Sequence, residues 1–219
     1  MPGIIKNPSA PQVKPEIIAK LKGIAVALLS DNMHRNCGSV GLMPYHTPAP
    51  LAGTAVTVRT RGGDNLAVLR AFDFCRPGDV MVIDAGGDLV NAIFGGIMSL
   101  GGEHMGLGGM IVDGAIRDVA EIRERSFPVY ARGVSHRGPY KDGPGEINVP
   151  VTVGGMVVRP GDIIVGDQDG LCAFSPDIAD TVIDKALAQQ AKEEANMAAI
   201  RAGKWDRSFI DALEARCLN

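Results

Sequence analysis

Short apolar runs separated by turn-forming residues dominate this chain, a pattern that predicts short strands and helices joined by tight turns. Residues 53–60 alternate in a β-branched run, Gly-Thr-Ala-Val-Thr-Val-Arg-Thr, which predicts a strand. Further strands are predicted over residues 80–84, 110–112, 128–132, 151–158, 162–165 and 171–174. Two of them follow matching turns, because Arg76-Pro-Gly-Asp and Arg159-Pro-Gly-Asp both precede apolar residues that end at an aspartate. We attribute this similarity to shared turn chemistry rather than to duplication.

Three segments predict helices. Residues 14–30 open with a helix that Gly23 ends or bends. In the helix predicted over residues 65–74, Leu66 and Leu69 are expected to face the core. Ala67 and Val68 are further candidates for that face. A long C-terminal helix is predicted over residues 176–201, with Ser175 as its cap. Its polar second half predicts that it leaves the core, either toward a neighbouring subunit or into solvent.

The sequence Gly-Gly-Met-Ile-Val-Asp-Gly-Ala-Ile-Arg-Asp brings a cation and a carboxylate to the end of a buried strand. The strand is predicted over residues 110–112, a tight turn over residues 113–114, and a helix over residues 119–125. Arg117 offers a planar fork for a carboxylate or carbonyl oxygen, and Asp118 offers a hard oxygen ligand for a divalent cation. The competing interpretation is structural, because an aspartate at a helix start commonly caps free amides and a neighbouring arginine is commonly solvated.

Glycine pairs allow the backbone to approach other groups closely. The pair at residues 86–87 predicts a turn flanked by Asp84 and Asp88, and Asp88 is expected either to cap a following helix or to serve a metal. The pair at residues 95–96 opens another predicted helix, whose free backbone donors favour an anion. Residues 167–170 predict a tight hairpin turn.

Composition narrows the class of protein. The 219 residues are 46% hydrophobic and 21% charged, which is ordinary for a soluble globular protein. This length suffices for one large domain or a compact two-lobed one, and we expect a single domain over residues 1–219. The net charge of -3 gives the chain no excess of positive charge that would attract nucleic acid. Neither a signal-peptide core nor an apolar run of membrane-spanning length is found, so a cytoplasmic protein that does not cross a membrane is expected. Reduced thiols are expected, because no metal or redox spacing links the four cysteines: Cys37, Cys75, Cys172 and Cys217.

Three motifs occur together: Val-Asp-Gly-Ala-Ile-Arg-Asp ending at residue 118, Gly-Pro-Gly-Glu-Ile-Asn-Val-Pro ending at residue 150, and Pro-Gly-Asp-Ile-Ile-Val-Gly-Asp-Gln-Asp-Gly over residues 160–170. Through them the chain resembles the RraA-like family, over roughly residues 20–200. That family includes the 4-hydroxy-4-methyl-2-oxoglutarate aldolases, decarboxylating members and a regulator of ribonuclease E.

The resemblance implies an α/β fold of stacked β-sheets with flanking helices, resembling a phosphohistidine swivelling β/β/α domain, assembled as a homotrimer or hexamer. It also implies a divalent metal, Mg²⁺ or Mn²⁺, that Asp118 ligates directly or through water. Arg117 is implied to contact the substrate's keto oxygen and to stabilise an enolate. The substrate carboxylate is implied to bind the backbone amides of four residues: Gly95, Gly96, Ile97 and Met98.

One position departs from the family's pattern. The aldolases carry an acidic residue, twenty intervening residues and then Arg-Asp, and the acidic position falls here on Gly96. The resemblance implies that this change affects metal affinity or substrate. His104 lies close enough in sequence to replace the lost polarity, although a lone histidine is more commonly structural or solvated.

The implied activity is that of a carbon–carbon lyase, a metal-dependent aldolase that cleaves a 4-hydroxy-2-oxo acid to pyruvate. Oxaloacetate gives the same enolate, so one site could also decarboxylate it. The base is either a metal-bound water or a carboxylate from an adjacent subunit, for which Glu193 and Glu194 are candidates. The alternative function is that of a non-catalytic regulator that binds a protein partner such as ribonuclease E. Intact Arg117 and Asp118 favour the enzyme, and Gly96 favours the regulator or a changed substrate.

Overall fold

A computed structural model describes residues 3–35 and 37–217. Its centre is a parallel sheet of four strands: β3 (Leu51–Thr60), β4 (Asp79–Phe94), β5 (Gly109–Ile116) and β6 (Val129–Val134). The short strand β2 (Met43–Pro44) extends this sheet beside β6. These strands form because their apolar, β-branched residues are buried on both faces, as parallel sheets require.

Antiparallel strands extend the sheet from β3. The first half of β3 pairs with β10 (Ile163–Gly166), which forms a hairpin with β11 (Leu171–Phe174). The second half of β3 pairs with β7 (Gly145–Ile147), which in turn pairs with β1 (Ile4–Lys6). The two Arg-Pro-Gly-Asp turns precede β4 and β10, two of the three strands that pair with β3.

A second, two-stranded sheet stacks on the first. It consists of β8 (Val151–Val153) and β9 (Met156–Val158), so the strand predicted over residues 151–158 is a hairpin that turns at its two central glycines. Side chains alternate between the two faces of β4, and Val80 and Val82 pack against this hairpin. Met81 and Ile83 point to the opposite face, toward the helices.

Seven α-helices flank the sheets within the described residues: α1 (Pro15–Leu21), α2 (Val26–Asp31), α3 (Leu66–Ala71), α4 (Gly96–His104), α5 (Val119–Arg123), α6 (Ala179–Arg201) and α7 (Phe209–Cys217). The first two and α6 pack together on β10 and β11, whereas α3 packs near the centre of the sheet. The expected α/β class with stacked sheets and flanking helices is confirmed. No described helix has both the length and the apolar composition needed to cross a membrane.

Two predicted turns are wrong, because both lie inside long strands. Residues 113–114 belong to β5, where Asp113 accepts hydrogen bonds from Arg132 and from the amide of Gly154. Residues 86–87 belong to β4, where both glycines have positive φ and the register with β5 shifts. Positive φ at glycine permits a bulge, which bends a strand without ending it. No helix follows Asp88, so it caps none.

The helix at residues 65–74 is confirmed but its inward face was partly misassigned. Ala67, Val68 and Ala71 are fully buried, whereas Leu69 is 38% exposed. The helix begins at Leu66 and ends in a 3₁₀ turn over Phe72–Phe74. Its buried residues recur about one helical turn apart, as expected for a helix with one face toward the core.

The C-terminal helix has its predicted cap. The Ser175 hydroxyl accepts a hydrogen bond from the amide of Asp177, a 3₁₀ turn spans Pro176–Ile178, and α6 then continues to Arg201. Only its first half is buried, through four residues: Ala179, Val182, Ile183 and Ala186. The structure adds α7, which the sequence analysis did not predict.

Candidate active site

The carboxyl ends of β4 and β5 lie side by side and hold the Arg-Asp motif. Phe94 pairs with Ile116 at the end of the shared ladder, and the amide of Arg117 donates to the carbonyl oxygen of Phe94 at 3.0 Å. The start of α4 therefore adjoins the start of α5. Ligands commonly bind at this edge of a parallel sheet.

Asp118 occupies the N-cap position of α5 but does not cap that helix. Its Oδ2 atom accepts a hydrogen bond of 3.0 Å from the amide of Gly96, the first residue of α4. The Arg117 Nε atom lies 3.5 Å from the same oxygen. The simple interpretation of Asp118 as a cap of its own helix is therefore wrong, because its carboxylate joins two elements. Among the described residues, its Oδ1 atom accepts no hydrogen bond.

Gly95 is required where α4 meets the Arg-Asp motif. A Cβ atom at this position would overlap the carboxylate of Asp118 and the Cγ atom of Arg117. The carboxylate reaches the start of α4 only because this side chain is absent.

Gly96 faces a carboxylate that the sequence analysis did not single out. A Cβ atom on Gly96 would overlap the carboxylate of Glu121, which lies one turn into α5. The Glu121 side chain is 56% exposed, and its Oε1 atom lies 3.9 Å from Arg125 Nη2. A carboxylate thus stands beside the position from which the family's acidic side chain is missing. The sequence signal was available, since Glu121 follows Asp118 by three residues and neighbours it on a helix.

These elements border a pocket of about 230 Å³. Its lining includes Arg117, Asp118 and the first residues of α4, together with Pro139 and Lys141 from a distant loop. Leu69 also lines the pocket, which accounts for its exposure. Lys141 adds a second cation that no sequence motif indicated, because the loop that carries it is brought here by the fold.

The loop that carries Lys141 is fixed by Asp64. This aspartate is fully buried and accepts hydrogen bonds from three amides, those of Leu66 at 3.0 Å, Asp142 at 2.7 Å and Gly143 at 3.0 Å. Burial alone would raise the pKa of Asp64, but these three hydrogen bonds, together with the charge of Arg61, hold it below its ordinary value. The loop is therefore held by a carboxylate that stays ionised.

Asn65 places a buried polar atom at the pocket. The residue is 4% exposed, and its Nδ2 atom donates to the carbonyl oxygen of Ile93 at 3.0 Å. Its Oδ1 atom has no hydrogen-bond partner among the described residues. An unpartnered buried acceptor costs about 1–3 kcal/mol, which a bound donor would recover.

The pocket suits a hydrated hard cation. No three His, Cys, Asp or Glu side chains among the described residues are grouped as a ready ligand set. Mg²⁺ needs no such cage, because it commonly keeps several waters and binds one or two carboxylates together with its substrate. Asp118 has an oxygen available for this role, and Glu121 stands nearby.

Other candidates named from the sequence lie elsewhere. His104 is exposed at the far end of α4, so it cannot replace polarity at the first residue of that helix. Asp84 and Asp88 do not line the pocket. Each accepts a hydrogen bond from the amide two residues later in its own strand. The residues of the hairpin turn at 167–170 form that turn as predicted, closed by a bond from the Asp167 amide to the Gly170 carbonyl oxygen.

The two glutamates on α6 are not at the pocket of their own chain. Glu193 accepts a hydrogen bond from Gln189 and Glu194 accepts one from Gln190, both within α6. That helix packs against α1 and α2 rather than against α4 or α5. Their role in an adjacent subunit's site stays a prediction.

Comparison with known proteins shows which family the chain is similar to. The model of the RraA-like family, described as Aldolase/RraA, matches residues 26–172. A relative from Halalkalibacterium halodurans, named "Putative 4-hydroxy-4-methyl-2-oxoglutarate aldolase", is 39% identical over 86% of this chain and 90% of its own. The 4-hydroxy-4-methyl-2-oxoglutarate aldolase of Thermus thermophilus is 35% identical over 56% of this chain and 74% of its own.

A solved structure supports the same assignment. RraAS2 from Streptomyces coelicolor, described as an unusual member of the RNase ES inhibitor RraA protein family, superposes with a TM-score of 0.78. It is 25% identical, and the match covers 84% of this chain and 97% of that one. This chain therefore belongs to the RraA-like family.

Proposed function

We propose that this chain is a divalent-metal-dependent pyruvate aldolase that cleaves 4-hydroxy-2-oxo acids of the 4-hydroxy-4-methyl-2-oxoglutarate type and also decarboxylates oxaloacetate. One observation carries the proposal: Arg117, Asp118, the start of α4 and Lys141 all border one pocket. The names of similar aldolases support the same reaction class.

The start of α4 suits the carboxylate of a 2-oxo acid. The Gly96 amide is already bonded to Asp118, which removes it from the set of four donors expected from the sequence. The amides of Ile97 and Met98 have no partner among the described residues, and both residues line the pocket. Two free donors at a positive helix end favour a carboxylate.

Arg117 and Lys141 supply the charges that a 2-oxo acid needs. The Arg117 guanidinium would hold the keto oxygen and stabilise the negative charge that develops there as the bond breaks. It lies against Gly138, where an added Cβ atom would be 3.0 Å from Nη1, so the loop restricts its movement. Lys141, which lines the same pocket, would attract a second carboxylate, which both proposed substrates possess.

A divalent cation, Mg²⁺ or Mn²⁺, would be held by Asp118, with Glu121 in its hydrated surroundings. When bound, it would supply Lewis-acid stabilisation to the same keto oxygen. Oxaloacetate and the hydroxy acid both release pyruvate through an enolate, so the same residues serve either substrate.

We also propose that the chain acts as a homotrimer or hexamer. Ile97 is 82% exposed and Leu100 is 51% exposed, and both lie on α4 beside the pocket. Apolar side chains so exposed are suited to burial by a second subunit. Such a neighbour could bring Glu193 or Glu194 to the pocket as the base.

The test is pyruvate release from oxaloacetate by the purified chain with added Mg²⁺, with and without a chelator. The protein-free reaction with the same metal is the blank, because metals alone promote this decarboxylation. We expect release well above the blank that chelation abolishes. Release equal to the blank at all metal concentrations would contradict the decarboxylase proposal.

The second candidate function is that of a regulator that binds ribonuclease E. Gly96 favours it, because a protein that only binds a partner has no need of the acidic residue found in the aldolases. Similarity to an RNase ES inhibitor family member is consistent with it. A chain that binds ribonuclease E and releases no pyruvate from either substrate would establish this alternative.

A further inference from the structure

The fold brings together two cysteines that are far apart in sequence. Cys37 follows α2 and Cys172 lies in β11, 135 residues later, yet their Sγ atoms are 4.0 Å apart. The Cys172 Sγ atom also lies 3.3 Å from the carbonyl oxygen of Cys37. The sequence spacing gave no sign of this pairing.

Backbone hydrogen bonds hold the two segments in register. The amide of Ser39 donates to the carbonyl oxygen of Leu171 at 3.0 Å, next to Cys172. The amide of Val40 donates to the carbonyl oxygen of Gly154 at 2.8 Å. The segment that carries Cys37 is therefore tied alongside β11, and the sulfurs face each other as a consequence of the fold.

The two thiols differ in their surroundings. Both border a cavity of about 470 Å³, but Cys37 is half-buried whereas Cys172 is only 2% exposed. Burial, and then the neighbouring Cys37, raise the pKa of the Cys172 thiol to about 12. Cys37 is therefore the more accessible of the two thiols to a small oxidant, and Cys172 is the more buried thiol beside it.

We propose that Cys37 and Cys172 form a reversible disulfide when the protein meets a peroxide. The Cys37 thiolate attacks one oxygen of hydrogen peroxide, the O–O bond breaks, and Cys37 becomes a sulfenic acid with release of water. The Cys172 sulfur then attacks the Cys37 sulfur, the S–O bond breaks, and a second water leaves. Two thiols and one peroxide thus give one disulfide and two waters.

The geometry needs only a small adjustment. The sulfurs must approach by about 2 Å to reach the bonded distance of roughly 2.05 Å. Rotation of the Cys37 side chain, which borders open space, can provide part of this approach. The bond would link the segment after α2 to β11 and close a long loop, which restricts the unfolded chain.

Cys75 provides a matched control within the same protein. Like Cys37 it is half-buried, burial raises the pKa of its thiol to about 12, and its Sγ atom lies 3.4 Å from the carbonyl oxygen of Ala71. No second thiol stands beside it among the described residues. Cys75 should therefore remain a thiol when the other two are oxidised.

The experiment uses the full chain in a Cys217→Ser background, which removes the fourth thiol. The protein is treated with stoichiometric peroxide, alkylated and analysed by mass spectrometry. We expect one intramolecular cross-link between the peptides that contain Cys37 and Cys172, reversed by dithiothreitol. We also expect a melting temperature raised by about 5–10 °C.

The variants decide between this pairing and unspecific oxidation. Cys37→Ser and Cys172→Ser should each abolish the cross-link and the rise in melting temperature, whereas Cys75→Ser should keep both. Full alkylation of Cys37 and Cys172 after peroxide treatment, or conversion of Cys37 to sulfinic acid without a cross-link, would overturn the proposal. None of these results depends on the proposed aldolase activity.

Discussion

Two aspartates, Asp118 at the pocket and Asp64 outside its lining, both accept hydrogen bonds from backbone amides, yet their surroundings differ. Asp64 is fully buried and accepts from three amides, so its oxygens are engaged in holding the loop that carries Lys141. The Asp118 side chain is 44% exposed and accepts from one amide, through one oxygen. A saturated carboxylate stabilises structure, whereas a carboxylate with a free oxygen at a pocket can take part in chemistry. The following substitutions test this contrast.

The largest effect is expected from Arg117→Lys, at the residue that precedes Asp118. Lysine keeps the charge but loses the planar fork that can contact two oxygens at once. We expect kcat for pyruvate release to fall by about 10²-fold or more, with an unchanged melting curve. Arg123→Lys, on the same short helix but outside the pocket lining, is the control and should keep full activity. A near-normal kcat for Arg117→Lys would contradict the proposed role of Arg117 in stabilising the enolate.

Asp64→Asn should act on stability. The amide cannot satisfy three donors as a carboxylate does, so we expect a loss of about 2 kcal/mol in the free energy of unfolding and a fall of about 6 °C in melting temperature. Asp142→Asn is the control, because that side chain lies on the same loop and is 73% exposed. Equal melting temperatures for wild type and Asp64→Asn would mean that this carboxylate does not hold the loop.

The pH dependence of the Asp64 variant has a defined sign. The folded-state pKa of Asp64 lies below the ordinary aspartate pKa of about 3.9. Its stabilising contribution is therefore complete above that value and is lost as the pH falls through the lower, folded-state pKa. The difference in unfolding free energy between wild type and Asp64→Asn should shrink on acidification below about pH 4.

Asp118→Asn should act on metal binding and spare the fold. The asparagine oxygen can still accept from the Gly96 amide, but a neutral amide is a poorer ligand for a hard cation. We expect the half-saturating Mg²⁺ concentration for activity to rise about tenfold. Identical metal titrations of the two proteins would assign Asp118 a purely structural role, like that of Asp64.

The smallest effect is expected at Gly96. An aspartate there must displace the flexible Glu121 side chain, so its benefit to a cation is offset by repulsion between the two carboxylates. We expect Gly96→Asp to tighten Mn²⁺ binding about threefold, measured directly by titration. Gly96→Ala makes the same steric demand without the charge and should not tighten it. No change with either variant would show that residue 96 does not influence the cation.

The sequence predicted the parts of this site that local chemistry determines. Arg117 and Asp118 follow a buried apolar strand, and the glycine pair at residues 95–96 opens a helix, so the motif and the neighbouring helix start are both recognisable from the sequence. The strands were recognisable for the same reason, since their apolar, β-branched runs are bounded by turn residues.

The remaining parts depend on distant segments. Lys141 reaches the pocket because Asp64 binds its loop across more than seventy residues of sequence, which no local pattern records. The bulge in β4 was mistaken for a turn, because paired glycines with positive φ serve both structures equally well. Glu121 stands against Gly96 only because Asp118 joins α4 to α5.

The central claim is that this pocket converts 4-hydroxy-2-oxo acids to pyruvate. The most direct measurement is pyruvate release from 4-hydroxy-4-methyl-2-oxoglutarate by the purified full chain, with Mg²⁺, for wild type, Arg117→Lys and Arg123→Lys in parallel. We predict metal-dependent release by wild type and Arg123→Lys, and release reduced about 10²-fold or more by Arg117→Lys. Equal release by all three proteins would place the reaction outside this pocket, and no release by wild type would contradict the aldolase itself.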